Sequence, residues 1–240
     1  IGGGSTSFEK VLYILRRFFK RILVPEAPGH GFSEPPNVDV NPDTLYSGIA
    51  HIINSELEEP AIIFGNSMGG AFSIYYALDN PERVLGLILS SPGGAKMEEE
   101  EWQKFLNTFR LKDILDGVNF MNSLIYKPSV VSLLFGNYLL ANLSKPVVQE
   151  LLDNTPVDYL FTPKQLKQLT MPILMIWGKA DRLALPEQRE YFREHLPKHA
   201  IIDEPEDFGH CPHMDRPIQL AARIIDFAEK IQTSVLTRQK

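Results

Sequence analysis

A glycine-rich pentapeptide at residues 65–69, Gly-Asn-Ser-Met-Gly, is the feature that most restricts how this chain can fold. Residues 61–65 form a short apolar run that is typical of a buried strand, and residues 69–78 have the apolar spacing of a helix. The pentapeptide therefore predicts a tight strand–turn–helix unit. Such a turn places Ser67 at the carboxyl end of the strand, close to the positive end of the helix dipole.

The glycines of this turn have a steric explanation. In so sharp a turn, Cβ atoms one helical turn apart would collide, so we expect Gly65, Gly69 and Gly70 to be needed for their missing side chains. Ser67 would then project its hydroxyl out of the turn as a nucleophile. The alternative is a serine that only packs in a glycine-rich turn, but the strand before it and the helix after it favour the nucleophile.

The rest of the chain repeats this alternation of apolar runs and helical patterns. Asn41 is a candidate N-cap, and Pro42 suits the first position of a helix. Strands are predicted at residues 21–25, 84–90, 172–177 and 200–202, and further helices at residues 7–19, 42–57, 186–195 and 217–234. Apolar strands that alternate with helices predict an α/β fold, with a mostly parallel sheet covered by helices on both faces.

Residues 95–169 break the alternation, because they contain helical patterns and no convincing strand. We expect them to form a helical cap inserted into a core of residues 1–94 and 170–240. The insert leaves and rejoins the sheet at the carboxyl ends of the strands, where ligands bind in such sheets, so it can roof the site. Its many apolar side chains favour an apolar or acyl-chain substrate, although some of them must simply pack the cap.

A serine nucleophile needs a base, and the chain has six histidines. We favour His210, which lies in the loop before the last helix and follows Gly209, a residue small enough to permit close approach to the turn. His213 in the same loop is the competitor. His195 and His199 have the spacing of a zinc pair, but a proline interrupts the helix between them, and no metal is predicted.

The base in turn needs a carboxylate. Asp181 directly follows the strand at residues 172–177, at the same end of the sheet as Ser67. Residues 90–94, after the preceding strand, hold no acidic side chain. The predicted catalytic residues are therefore Ser67, Asp181 and His210, in the chain order nucleophile, acid, base.

A tetrahedral intermediate also needs hydrogen-bond donors for its oxyanion. We expect one to be the backbone N–H of Met68, directly after the nucleophile. A second is expected at Gly3, in the glycine-rich loop at residues 2–5 that leads into the first helix. A flexible linker is the alternative interpretation of that loop.

The composition restricts the kinds of partner and the setting that this chain is expected to have. The net charge of −6 argues against nucleic acid, since phosphate binding needs a basic face. The single cysteine, Cys211, cannot form an internal disulfide, which is compatible with a cytoplasmic setting. No apolar run reaches the ~18 residues of a membrane span. Basic residues around the first helix would suit an anionic membrane surface, but the solvated face of a core helix is the simpler interpretation. No cofactor is predicted.

Together these motifs resemble the α/β-hydrolase superfamily over essentially the whole chain. The resemblance rests on the pentapeptide, Pro-Gly-His-Gly at residues 28–31, Trp-Gly-Lys-Ala-Asp at 177–181, and Gly-His at 209–210 followed by Asp-Arg-Pro at 215–217. It implies that the histidine of the Gly-His pair is the base, which supports His210. Ile-Tyr-Lys-Pro at 125–128 makes the cap similar to that of monoacylglycerol lipases and related carboxylesterases.

Two departures from the family pattern stand at the start of the chain. The family has His-Gly at the beginning of its oxyanion loop, where this chain has Ile1-Gly2, and it has strands before that loop. A sheet without those strands would leave apolar edges open. We therefore expect either more sequence upstream or a partner that covers the edge.

The resemblance implies acyl transfer through a covalent acyl-enzyme. Dehalogenases and epoxide hydrolases of this fold carry aspartate at the position of Ser67, so both are disfavoured. We expect hydrolysis of carboxylic esters, small or lipid-like, such as monoacylglycerols. The alternatives are hydrolysis of a carbon–carbon bond or a thioester by the same residues, and a non-catalytic binding protein or receptor.

Overall fold

The computed structural model describes residues 3–128 and 130–238 of the 240-residue chain, so Ile1 and Gly2 lie outside the described residues. Four strands form one parallel sheet, side by side in chain order. This confirms the predicted α/β architecture. The strands are β1 (Ala61–Asn66), β2 (Val84–Ser90), β3 (Ile173–Ile176) and β4 (Ile201–Asp203).

Eleven helices are described in residues 3–128 and 130–238, besides short 3₁₀ turns. They are α1 (Glu9–Leu15), α2 (Pro42–Glu56), α3 (Met68–Asp79), α4 (Glu99–Asn107), α5 (Ile114–Leu124), α6 (Val131–Leu143), α7 (Pro146–Asp153), α8 (Pro163–Leu166), α9 (Pro186–His195), α10 (Pro212–Asp215) and α11 (Pro217–Arg238). The first helix is shorter than predicted at both ends, because a 3₁₀ turn at Ser5–Phe8 precedes it and residues 16–18 form a turn after it. Over the described ranges, no helix is both long and apolar enough to cross a membrane.

The last residues of the four strands lie side by side in one row across the sheet. The row consists of Asn66, Ser90, Ile176 and Asp203. The ladder continues into the first loop, because the N–H of Ser67 donates to the Ser90 carbonyl over 3.0 Å. The loops that follow the strands therefore begin at one level, which is what the sequence-based placement of Ser67 and Asp181 requires.

Strand β2 shows how the sheet is buried on both faces. Leu87 and Leu89 belong to an apolar cluster with residues of α2, α3 and α9. Ile88 belongs to a second cluster with residues of α1 and α11. Because successive side chains of a strand point to opposite faces, these two clusters lie on the two sides of the sheet. The continuous apolar pattern of the strand follows from this double burial.

The prediction of a strand at residues 21–25 is wrong. These residues form no ladder with the described strands, and Arg21 instead makes an ion pair with Glu56 at the end of α2, with 2.6 Å between Nη2 and Oε2. The apolar run is only three residues long and ends at Pro25, which has no N–H to donate to a ladder. A segment becomes a strand only when a neighbouring strand pairs with its backbone. The apolar pattern of the segment itself does not show whether such a neighbour exists.

The insert, residues 95–169, holds helices α4 to α8. Helices α5 and α6 approach so closely that a Cβ on Gly117 would lie 2.2 Å from the carbonyl oxygen of Gly136. One apolar cluster joins Trp102 of the insert to Leu45 and Phe72 of the core. The insert therefore packs directly on the helices that flank the sheet.

Asn41 caps α2 as the sequence predicts, since its Oδ1 accepts the Thr44 N–H over 2.9 Å. The substitution Asn41→Ala removes this acceptor and is expected to lower the free energy of unfolding by about 1 kcal/mol. Asn41→Asp keeps an acceptor and is the matched control, expected to stay close to the native value. Urea denaturation of the three proteins measures the difference. An alanine variant as stable as the native chain would contradict the capping role.

Candidate active site

The turn after β1 holds Ser67 in a backbone conformation that residues other than glycine rarely adopt, with φ +54° and ψ −121°. Such a conformation costs about 1–3 kcal/mol and persists only where the surroundings fix it. Three N–H groups hold the Ser67 carbonyl, those of Gly70 (2.9 Å), Ala71 (3.2 Å) and Gly93 (2.9 Å). The start of α3 and the loop after β2 therefore fix the turn together.

The steric expectation for the glycines is correct at two positions of the three. A Cβ on Gly65 would lie 2.2 Å from the Gly69 carbonyl oxygen, and one on Gly70 would lie 2.8 Å from Cβ of Pro92. At Gly69 the expectation is wrong, because a Cβ there would have no neighbour within 4 Å. The side of α3 on which Gly69 lies faces open space, whereas Gly65 and Gly70 face backbone or a rigid ring.

His210 and Asp181 form a buried pair, with 2.9 Å between Nδ1 and Oδ2 and with side chains only 4% and 2% exposed. The other carboxylate oxygen accepts the N–H groups of Leu183 and Ala184, each over 3.0 Å. Burial alone would raise the pKa of Asp181, but the charge and hydrogen bond of His210 and the Ala184 N–H outweigh it and hold that pKa below its usual range. An ionised Asp181 keeps the proton of a neutral His210 on Nδ1.

The second ring nitrogen of His210, Nε2, is buried and has no hydrogen-bond partner among the described residues. His210 and Ser67 line the same cavity. With Nδ1 bonded to Asp181, Nε2 is the nitrogen that can accept a proton. Ser67 and His210 thus line one cavity and Asp181 is bonded to His210, although the three residues lie far apart in the sequence.

The cavity beside Ser67 has a volume of about 90 Å³ and a mainly apolar wall. Within the described ranges, no lysine, arginine, aspartate or glutamate lines it. Several of its polar groups are already paired: Nε1 of Trp102 donates to the Thr155 carbonyl over 2.6 Å, and the Tyr75 hydroxyl donates to the Tyr159 carbonyl over 2.7 Å. The insert contributes Trp102, Phe105, Leu106, Phe109 and Leu151 to the wall, and the core contributes Met68, Phe72, Pro92 and Ala184.

Residues 1–217 match the family model described as the alpha/beta hydrolase fold. The chain belongs to this family. Lipase 1 of Psychrobacter immobilis is 24% identical to this α/β hydrolase over 239 residues, which cover 89% of the chain and 70% of the lipase.

Two further relatives show the spread of names within the family. The 2-hydroxy-6-oxononadienedioate/2-hydroxy-6-oxononatrienedioate hydrolase of Cupriavidus pinatubonensis is 30% identical over 177 residues, covering 68% of this chain and 60% of that protein. The crystal structure of a putative lipase from Acinetobacter baumannii has a TM-score of 0.80 at 22% identity, covering 97% of this chain and 82% of that chain. The structural likeness establishes the fold.

Of the two residues predicted to supply oxyanion donors, one lines the cavity. Met68 lines the cavity and is the first residue of α3, where a backbone N–H has no partner within the helix. Gly3 is exposed and is not among the residues that line the cavity, so its role stays a prediction. The next residue packs against another turn, because a Cβ on Gly4 would lie 2.8 Å from Cα of Gly31.

The other histidines have different surroundings. The ring of His213 stacks on Phe8 with 4.0 Å between centroids, and burial lowers the pKa of His213 to about 3. Burial is also the main reason why the pKa of His30 is lowered to about 4. Neither ring lines the cavity. Nε2 of His199 lies 2.9 Å from the Met171 carbonyl oxygen, whereas the ring of His195 packs edge-on against Tyr191 with 4.5 Å between centroids.

Asn66 is a site residue that the sequence analysis did not single out. Its Nδ2 donates to the carbonyls of Ser90 (2.9 Å) and His210 (2.8 Å), and its Oδ1 accepts the Cys211 thiol over 3.6 Å. It thereby ties the nucleophile turn to the loop that carries His210. Its position directly before Ser67 is a signal in the sequence, but its partners 24 and 144 residues away are not.

The glycine geometry predicts opposite outcomes for two neighbouring substitutions. Gly65→Ala forces a Cβ against backbone and is expected to lower the free energy of unfolding by about 3 kcal/mol, the cost of overpacking a site that cannot yield. Gly69→Ala fills open space within a helix and is expected to be neutral or to stabilise by up to about 1 kcal/mol. Thermal and urea unfolding measure both, and equal losses in the two variants would refute the steric assignment.

The buried His213 predicts a loss of stability in acid. Its pKa of about 3 in the folded chain lies below the ~6.5 of an unfolded histidine. As the pH falls from ~6.5 to ~4.5, only the unfolded chain takes up this proton, so the free energy of unfolding drops by about 2 kcal/mol from this group. His213→Phe keeps a ring to stack on Phe8 and should remove that part of the loss.

Urea denaturation across this pH range measures the difference between the two chains. His51→Gln changes an exposed histidine of α2 and is the matched control, expected to follow the native curve. If His213→Phe loses stability as steeply as the native chain, the buried imidazole is not the cause.

Proposed function

We propose that the protein is a serine hydrolase that cleaves carboxylic esters with apolar acyl groups through an acyl-enzyme. One observation carries this proposal. Nε2 of His210, held by Asp181 through the other ring nitrogen, has no partner among the described residues, and His210 shares an apolar cavity with Ser67.

The arrangement supports a two-step reaction. The Ser67 hydroxyl attacks the ester carbonyl while Nε2 of His210 takes its proton, and the Met68 N–H donates to the oxyanion. His210 then gives the proton to the leaving alcohol, which departs and leaves an acyl group on Ser67. Water repeats the cycle and releases the acid. Throughout, the ionised Asp181 stabilises the imidazolium form of His210.

The cavity wall supports a neutral, apolar acyl group. A carboxylate buried there would have no lysine or arginine partner among the lining residues, and burying an unpaired charge is strongly unfavourable. We also propose that the insert acts as the cap of the site, since its aromatic side chains form much of the wall. The name of the Psychrobacter relative, a lipase, is in line with this substrate class.

A carbon–carbon bond hydrolase is the alternative, and the Cupriavidus relative is named for a substrate with two carboxylate groups. Such a substrate calls for lysine or arginine in the pocket, because carboxylates are held by cationic donors. Arg182 follows Asp181 in the chain, but its guanidinium already donates to carbonyls of the insert. The absence of cations from the described lining therefore favours the ester.

A fluorophosphonate probe tests the nucleophile. The probe is expected to label the native protein at Ser67 and to leave Ser67→Ala unlabelled. Ser55→Ala changes an exposed hydroxyl on α2 that donates to its own helix, and it is expected to label like the native chain. Folded native protein that resists labelling would refute the enzyme and leave the binding-protein alternative.

A panel of p-nitrophenyl esters tests the substrate class. Two additional buried methylene groups are worth about 1.6 kcal/mol, so kcat/KM is expected to rise about tenfold from acetate to butyrate. A conjugated oxo-dienoate with a free carboxylate is expected to react poorly. Equal rates on all esters, or turnover of the oxo-dienoate alone, would contradict the proposal.

A further inference from the structure

One short segment of the insert, residues 122–126 at the end of α5, touches both loops that carry the proposed acid and base. On the acid side, the guanidinium of Arg182 donates to the carbonyls of Ile125 (2.8 Å) and Tyr126 (3.3 Å), and also to that of Asn122. Arg182 directly follows Asp181. A single side chain next to the acid therefore binds three backbone groups of the insert.

The base side makes separate contacts with the same segment. The N–H of Cys211, directly after His210, donates to the Leu124 carbonyl over 2.8 Å. The N–H of Tyr126 donates to the Asp215 carboxylate over 2.7 Å. The backbones also lie in close contact, since a Cβ on Gly209 would lie 2.6 Å from the Ile125 carbonyl carbon. Residues before and after His210 thus rest on the insert.

An arginine is well suited to bind backbone carbonyls near the end of a helix. The last carbonyls of a helix have no partners within the helix and carry its negative dipole end, so a cation there is favourable. The planar guanidinium presents several N–H groups in a fixed fork, which the single ammonium of lysine does not. Arg182 can therefore bind the Asn122 carbonyl in the last turn of α5 together with the Ile125 and Tyr126 carbonyls that follow the helix.

We propose that Arg182 is a positioning residue that clamps residues 122–126 across the two loops and so fixes Asp181 against His210. Asp181 accepts N–H groups from Leu183 and Ala184, so the backbone around Arg182 also sets the orientation of the carboxylate. Docking of residues 122–126 against the two loops and alignment of Asp181 with His210 then occur together. The effect on turnover rests on the function proposed above, whereas the physical coupling of the loops does not.

Arg182→Ala and Arg182→Lys test the clamp, with p-nitrophenyl butyrate as substrate. Because small misplacement of catalytic groups costs up to about 100-fold in rate, kcat of the alanine variant is expected to fall about 10- to 100-fold. KM is expected to change less than about threefold, since the cavity wall is intact. Lysine is expected to restore little of the lost kcat.

Arg110→Ala is the matched control. Its guanidinium donates to Gln149 over 2.7 Å and to Asp153 over 2.6 Å, all within the insert. This variant removes an arginine from the insert without touching either loop, and its kcat is expected to stay within about twofold of the native value.

Amide hydrogen exchange supplies the readout that is independent of activity. In Arg182→Ala, exchange is expected to quicken together in residues 122–126 and 209–215, although Arg182 belongs to neither segment. Arg110→Ala is expected to leave both unchanged. Since Arg182 is an exposed residue, the variants are expected to fold, and Arg182→Gln serves as a second variant if the alanine chain does not.

The outcomes separate the two proposals. Faster exchange confined to residues 122–126, or an unchanged kcat with both segments loosened, would overturn the clamp. A native protein that hydrolyses no ester of the panel would overturn the proposed function instead. In that case the exchange pattern alone still decides whether Arg182 couples the insert to the histidine loop.

Discussion

The alignment of the strand ends is the constraint on which the rest of the structure depends. Asn66, Ser90 and Ile176 lie in one row, so the loops after β1, β2 and β3 all begin at the same level of the sheet. Ser67 follows the row directly and Asp181 follows it after one short loop. A shift of one residue between two of these parallel strands would displace Ser67 or Asp181 along the sheet. It would also turn the side chains of the shifted strand to the opposite face.

That alignment explains which parts of the site the sequence could predict. The strand, the sharp turn and the helix around Ser67 follow from local pattern, and β2 has its predicted bounds at residues 84–90. Since parallel strands end at one edge, it was also predictable that Asp181 would lie near Ser67. The same reasoning favours His210 as the partner of Asp181 but leaves His213 as a competitor, which only the family resemblance disfavours.

The features that the sequence does not predict depend on contacts between residues that are distant in the sequence. Residues 21–25 have strand composition but no partner in the described sheet, and composition does not reveal partners. Gly69 fits the steric rule for a tight turn, yet its surroundings are open. Nδ2 of Asn66 and the guanidinium of Arg182 donate to backbone carbonyls, which every residue possesses, so no side-chain pattern marks these acceptors. Such contacts appear only when the chain is folded.

The close contact between Gly117 and Gly136 has a mechanical consequence. Two helices whose backbones touch cannot slide past one another without a steric clash, so α5 and α6 behave as a single stiff body. Exposed apolar side chains of α6, such as Leu134, lie on the outside of that body, and the end of α5 contacts the histidine loop through the Leu124 carbonyl. The apolar outer surface of α6 therefore belongs to the same stiff helix pair as the segment that contacts the loop of His210.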